Sequence, residues 1–203
     1  MSKKYKCVIL AARKHGLAAL AKLIELNSSY EVIVIFTHRL NPLSYDPARK
    51  IRSDFEDFVN LANSNNIPLY TIDYKNEQSK LKDFCMSNDF DFLISISWRY
   101  LISPSVFKKA CIGSINIHRG DLPKYAGIEP IRRALENNEE KIVISSHHIS
   151  ENFDQGEIIC KTNHPTNYDH TKSLESNVER LKEEITQYFP QLTIKSLELL
   201  LKH

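Results

Sequence analysis

Asn116 and His118 stand two positions apart in SINIHRGDLP (114–123), where polar and apolar side chains alternate before a charged loop begins. Side chains two apart on a strand point the same way, so Asn116 and His118 share one face while Ile115 and Ile117 hold the other in a core. One supplies a hydrogen-bonding amide and the other a ring that titrates near neutrality. The segment that follows, RGDLPKYAGIEP, carries Gly120, Pro123, Gly127 and Pro130, the composition of a long ordered loop. Loops of that length are usually functional or disordered, so the loop and the two polar side chains read together as a pocket wall. The competing reading is an edge strand with one wet face. Asp154, in FDQGEI ahead of Gly156, has by itself the setting of a turn former.

The surrounding elements have to hold that face at the end of a sheet. CVILAA (7–12) and EVIVIFT (31–37) are apolar runs rich in β-branched residues, as in strands covered on both faces. Leu17, Leu20 and Ile24 recur between them at helical spacing, which makes a βαβ unit and implies parallel strands. Ile51, Phe55, Phe58 and Ala62 mark a second helix, PLYTI (68–72) a third strand, Leu81, Phe84 and Cys85 a third helix, and DFLISIS (91–97) a fourth strand. Ser103 and Pro104 open a short helix with a cap and a proline at its first position.

Beyond the loop a helix starts near Pro130, and KIVISSHHI (141–149) and EIICK (157–161) read as strands joined by SENFDQG. Leu174, Val178, Leu181, Ile185 and Phe189 form a tail helix ended by Pro190, and Ile194, Leu197 and Leu201 form another. The predicted fold class is α/β, a Rossmann-like, mostly parallel sheet with flanking helices and a helical carboxy-terminal tail. One domain over 1–203 is expected, with 170–203 packed on it as that tail. Open α/β sheets bind ligands beyond the carboxyl ends of their strands, where Asn116 and His118 fall.

Composition narrows the function classes. The 203 residues are 42% hydrophobic, enough for one substantial core. Lys and Arg total 27 against 25 Asp and Glu, a formal charge of +2, so no strong field favours nucleic acid or a membrane surface. MSKKYK lacks the apolar stretch of a secretory signal, and no segment approaches the roughly 20 apolar residues that span a bilayer. A cytoplasmic protein is expected. The four cysteines lie far apart and suggest neither a disulfide framework nor a zinc knuckle. His147 and His148 would face opposite ways on a strand, and His164 and His170 have no ligand spacing with them, so no metal is expected. Gly113, Gly120 and Gly127 do not make the GxGxxG of a dinucleotide oxidoreductase. A non-catalytic α/β nucleotide-binding module is the reading outside catalysis.

Two stretches resemble the signatures of the formyltransferases that use 10-formyltetrahydrofolate. The family's N-x-H-x-x-x-L-P-x-x-x-G reads N-I-H-R-G-D-L-P-K-Y-A-G from Asn116 to Gly127, and its D-x-G-x-I reads D-Q-G-E-I from Asp154 to Ile158. The resemblance runs from residue 5 to about 165 and implies the formyltransferase fold, 10-formyltetrahydrofolate as formyl donor, and a catalytic triplet of Asn116, His118 and Asp154. In that chemistry an amine attacks the formyl carbon on N10. Asn116 and a protonated His118 would donate to the oxygen that gains charge, Asp154 would orient His118, and His118 or Asp154 would take the amine's proton. The stretches matching the family's pterin pocket are SWRYLIS (97–103) and ISENFD (149–154), which place Trp98, Arg99, Tyr100, Ile102, Ile149 and Glu151 at the cofactor, recognised largely through backbone. Plain core packing is the competing role for Trp98.

The resemblance also bears on the amine. The family's glycinamide ribonucleotide branch cradles a phosphate in a glycine-rich turn after its first strand, but AARKHG here has only Gly16. The methionyl-tRNA branch adds a basic carboxy-terminal domain, whereas about forty residues of mixed charge follow position 162 here, so no nucleic-acid substrate is expected. What the resemblance then implies is an amino sugar linked to a nucleotide, commonly a dTDP-4-amino-4,6-dideoxyhexose destined for surface polysaccharide. Glycinamide ribonucleotide is the alternative. Arg13, His15, Lys124 and Tyr125 are the candidate substrate contacts. The family often has proline and serine or glycine after the histidine, where Arg119-Gly120-Asp121 stands here. Sugar-type members tend to carry longer carboxy-terminal extensions that assist dimerisation, and a homodimer is left open.

Overall fold

The computed structural model describes residues 4–202, so the expected domain and tail extend slightly beyond what is described. Four strands alternate with helices through the first half: β1 (Tyr5–Ala11), α1 (Arg13–Glu25), β2 (Tyr30–Thr37), α2 (Phe55–Ser64), β3 (Leu69–Thr71), α3 (Gln78–Ser87), β4 (Phe92–Ile96) and α4 (Pro104–Phe107). The second half runs β5 (Gly113–His118), α5 (Pro130–Glu136), β6 (Lys141–His148), β7 (Ile158–Pro165), α6 (Leu174–Glu184) and α7 (Tyr188–Leu200). All seven strands form one sheet in the order β3-β2-β1-β4-β5-β6-β7. Pairing is parallel from β3 through β5 and antiparallel for β5–β6 and β6–β7.

Alternation along the strands divides the core. Cys7, Ile9 and Ala11 of β1, Ile94 and Ile96 of β4, and Ile115 and Ile117 of β5 join the cluster that Leu20, Phe189 and Leu197 complete. Val8, Leu10, Phe36 and Leu93 belong to a second cluster with Leu81, Cys85, Val106 and Phe107 from α3 and α4. β1 is buried through both clusters, which accounts for its continuous apolar run. β5 is not an edge strand, because β4 and β6 pair with it on either side. The chain leaves β1 toward β2 and β3, then returns to β4 on the other side, which opens a crevice at the carboxyl ends of β1 and β4.

Three boundaries differ from expectation. Ile51 lies outside α2, exposed and bridged to Leu40 across the loop after β2, because the helix waits for Asp54 and the acidic first turn of Glu56 and Asp57. Pro190 does not end a helix. It sits in the first turn of α7, where backbone N–H groups have no intrahelical partner and a proline is tolerated. β7 continues to Pro165 because β6 supplies pairing partners as far as Lys141. Among the described residues no helix is long and apolar enough to cross a membrane.

Candidate active site

The parallel and antiparallel registers that flank β5 assemble a row of polar side chains. Ser95 and His147 are the Cα partners of Asn116 on its two sides, so all three project from one face. Ser95 Oγ donates to Asn116 Oδ1 at 2.9 Å, which turns the amide nitrogen toward His147 Nε2 at 3.0 Å. His147 Nδ1 lies 2.8 Å from the His148 carbonyl and donates to it, leaving Nε2 free to accept. The amide nitrogen also donates to Asp154 Oδ1 at 3.3 Å.

Asp154 reaches this row from the turn after β6. Its φ of 54° lies in the left-handed region, which aspartate tolerates better than most side chains. Gly156 closes the same turn: a Cβ there would sit 1.7 Å from the His148 carbonyl oxygen, so any side chain would push the turn away. The second carboxylate oxygen accepts from the Gly127 backbone N–H at 2.9 Å and faces His118 Nδ1 at 3.3 Å. Asp154 thus ties the strand to both loops. Burial pushes its carboxyl upward, but the His147 and His118 rings and the Gly127 N–H outweigh it, and the carboxyl stays below the usual aspartate range.

His118 Nε2 lies 2.8 Å from the Tyr125 carbonyl oxygen. Both ring nitrogens therefore face oxygen acceptors, so a neutral ring leaves one acceptor unpaired and an imidazolium satisfies both. Burial lowers the ring's pKa below its ordinary value, while Asp154 and the Tyr125 carbonyl oppose that fall. Gly120 packs on this ring: a Cβ there would come within 2.8 Å of Nε2. Of the three residues expected as a triplet, Asp154 thus contacts both Asn116 and His118. His147 joins them, and sequence reasoning had used it only to argue against a metal. Its signal was the antiparallel pairing of β5 with β6, which places it directly opposite Asn116. Among the described residues no group of three or more His, Cys, Asp or Glu side chains is placed to hold a metal ion.

The expected cofactor contacts divide. Trp98, Tyr100 and Ile149 pack against the cluster on the α3 and α4 side, and Ile102 is buried within it. Trp98 stacks on His38 with ring centroids 4.2 Å apart, and its indole N–H is buried without a partner. Arg99 and Tyr100 commit their side chains to the framework, donating to the carbonyls of Leu40 at 2.7 Å and Asp73 at 2.6 Å. Glu151 is exposed and pairs with Lys108 at 3.7 Å. Backbone, more than side chain, is what the 97–103 stretch presents.

Three of the expected substrate contacts have side chains engaged elsewhere in this structure. His15 is buried, with Nε2 2.5 Å from Ser97 Oγ and its ring 4.6 Å from that of Phe189, so its side chain is held within the framework. Lys124 and Tyr125 turn their side chains to Glu139, at 2.5 Å and 2.6 Å, and Tyr125 reaches His118 through its carbonyl alone. Arg13 is exposed at the start of α1, with a left-handed φ of 65°. Arg119, half-buried after His118, was not among the expected contacts. Its guanidinium is lowered to about 10 by burial and by Arg13.

The sequence from β1 to α7 agrees with one family model. It is that of the formyl transferases, and it matches residues 6–193. The chain belongs to the formyl transferase family. Among curated proteins it is 27% identical to a methionyl-tRNA formyltransferase of Clostridioides difficile (strain 630), over 88% of this chain and 57% of that protein. It is 28% identical to one of Orientia tsutsugamushi (strain Boryong), over 78% and 50%. The chain therefore spans about half the length of these relatives. The fold is shared with phosphoribosylglycinamide formyltransferase from Bacillus halodurans, at a TM-score of 0.71 and 20% identity over 97% of this chain and 95% of the other. It is shared too with a formyltetrahydrofolate deformylase from Pseudomonas syringae pv. tomato str. DC3000, at 0.73 and 17% over 97% and 61%. The formyl transferase fold thus carries the polar row on β5 in this chain.

Two further histidines give the fold a pH signature. His15 is held well below its ordinary pKa, chiefly by burial, and His38 is pushed down to about 3 by burial and Arg99. Below the unfolded-state value near 6.5 the unfolded chain binds protons that these rings do not, so stability falls as pH falls. Each contributes up to about 1.4 kcal/mol per pH unit in that window. Urea unfolding at pH 7 and pH 5 should show the midpoint dropping on acidification, before carboxylates protonate. A midpoint unchanged between the two would contradict neutral, buried rings.

Proposed function

We propose that the chain transfers a formyl group from 10-formyltetrahydrofolate to the primary amine of a nucleotide-linked amino sugar. The observation that carries the transfer is the contact of Asp154 with both Asn116 and His118 at the open end of β5. The donor fits the neighbouring surface: the buried, unpaired Trp98 N–H and the backbone of 97–103 are suited to a polar, flat ring system such as a pterin. It brings an activated formyl carbon.

Asn116 and His118 make their contacts to Asp154 at 3.3 Å, longer than their other hydrogen bonds, so these are the ones a reactant displaces most cheaply. The Asn116 amide then donates to the formyl oxygen as it gains charge. His118, kept neutral by burial, takes the proton that the attacking amine loses, and Asp154 steadies the imidazolium. The new bond joins the amine nitrogen to the formyl carbon; the bond from that carbon to N10 breaks, and His118 returns the proton to N10.

Arg13 and Arg119 support an anionic acceptor. The Arg119 guanidinium lies within the field of both Arg13 and the Glu179 carboxylate, and α1 begins without a side-chain cap or an acidic residue in its first turn. A diphosphate between donor and sugar suits that charge. A single ribose phosphate suits it too, and this favours glycinamide ribonucleotide as the second reading. Formyl transfer assayed over a panel of dTDP-, UDP- and GDP-linked amino sugars, with glycinamide ribonucleotide alongside, distinguishes them. Turnover with a nucleotide sugar at least about tenfold above glycinamide ribonucleotide is expected, and the reverse order would replace the first reading with the second.

A further inference from the structure

Past Arg13 the cleft meets a side chain that no part of the fold requires. Tyr45 is 72% exposed at the tip of the loop between β2 and α2, one of the largest apolar exposures in the protein. Exposed aromatics are common on floppy loops, but this loop is pinned. Leu40 bridges Ile51, the Asn41 N–H bonds the Lys50 carbonyl, and Tyr45 and Asp46 both donate backbone N–H groups to the Pro42 carbonyl. The Asp46 carboxylate accepts from the Asn41 amide and from the backbone of Ala48 and Lys50. Below the loop, Arg52 bonds the His38 carbonyl and pairs with Asp54 at 2.7 Å, both buried. The backbone that carries the ring is therefore held in place, and the ring's neighbour there is the Arg13 guanidinium, 6.0 Å from the ring centroid.

His118, Arg119, Arg13 and Tyr45 thus form a sequence of groups: proton acceptor, two neighbouring cations, flat aromatic face. The last has no use for a ribose phosphate, which ends at its phosphate. A nucleoside diphosphate carries a planar base beyond its phosphates, and stacking on tyrosine favours any base. We infer that Tyr45 is the platform on which the nucleobase of the acceptor stacks, so that Arg13 holds phosphate and Tyr45 selects for a nucleotide. This rests on the formyl-transfer reading and assigns the far end of the acceptor.

Calorimetric titration of the wild type, Tyr45→Ala and Tyr45→Phe with dTDP, UDP and inorganic pyrophosphate tests it, with 5-formyltetrahydrofolate titrated into each variant as an independent ligand. The expected result is a loss of at least about fivefold in affinity for dTDP and UDP in Tyr45→Ala, near wild-type values in Tyr45→Phe, and pyrophosphate binding unchanged throughout. An equal loss for pyrophosphate would overturn the inference, since Tyr45 would then act by placing Arg13. Wild-type protein that binds the nucleotides no better than pyrophosphate would overturn it also. If 5-formyltetrahydrofolate binds in that case, only the base platform fails; if it does not, the formyl-transfer reading fails with it.

Discussion

Asp154→Asn lowers kcat for formyl transfer by about 10²–10⁴-fold while leaving the protein folded. The carboxylate contacts Asn116 at 3.3 Å, faces His118 at 3.3 Å and accepts from Gly127 at 2.9 Å. An isosteric amide keeps the volume of the site but loses the negative charge that steadies a protonated His118. It also has to present its own N–H₂ to one of two donors, Asn116 or the Gly127 N–H, and that clash loosens the two loops where the acceptor must sit. The measurement is steady-state kinetics with 10-formyltetrahydrofolate, read beside circular dichroism and a urea midpoint. A loss carried wholly by a raised KM, with kcat unchanged, would mean that Asp154 holds the loops and takes no part in the chemistry.

Asn116→Ala should cost about 10²–10³-fold in kcat, the usual effect of removing one preorganised donor to a developing oxyanion. The amide is held from both sides, by the Ser95 hydroxyl at 2.9 Å and by His147 Nε2 at 3.0 Å, so its N–H direction is set before a substrate arrives. Truncation leaves Ser95 Oγ and His147 Nε2 without this partner, and a modest fall in stability, about 1–3 kcal/mol, accompanies the kinetic loss. Because the donor works chiefly when charge develops, KM for both substrates should change little. Unaltered kcat in the folded variant would remove Asn116 from the reaction.

The strands, the parallel half of the sheet and the polar face of β5 were legible because periodicity reports burial, and burial is what those elements are built on; the strand order was not. The shared face of Asn116 and His118 followed from alternation, and the loop after them and the family signature singled them out. Asp154 did not, since an aspartate ahead of a glycine in a turn has the same local signature whether or not it reaches across to another strand; only the family signature marked it. His147 was hidden because strand pairing is a long-range fact, and its neighbour His148 made the pair look like a metal question. Arg13 and His15 differ in outcome for a helical reason. Arg13 sits at the exposed entry of α1, while two residues on the chain has turned inward, and His15 packs under Phe189. Lys124 and Tyr125 were drawn off by Glu139, a carboxylate beyond α5 whose approach no local pattern announces. Pro190 misled for a simpler cause: a proline permits a helix to begin as readily as it forbids one to continue.

Asn116, at the formyl oxygen, and Asp154, through His118, serve one transition state, and a double-mutant cycle on formyl transfer tests this most directly. If they work as one unit, kcat/KM of Asn116→Ala combined with Asp154→Asn should fall within about tenfold of the worse single variant, because residues that act together lose their effects together. Losses that multiply, with each substitution costing as much in the other's background as in the wild type, would contradict it.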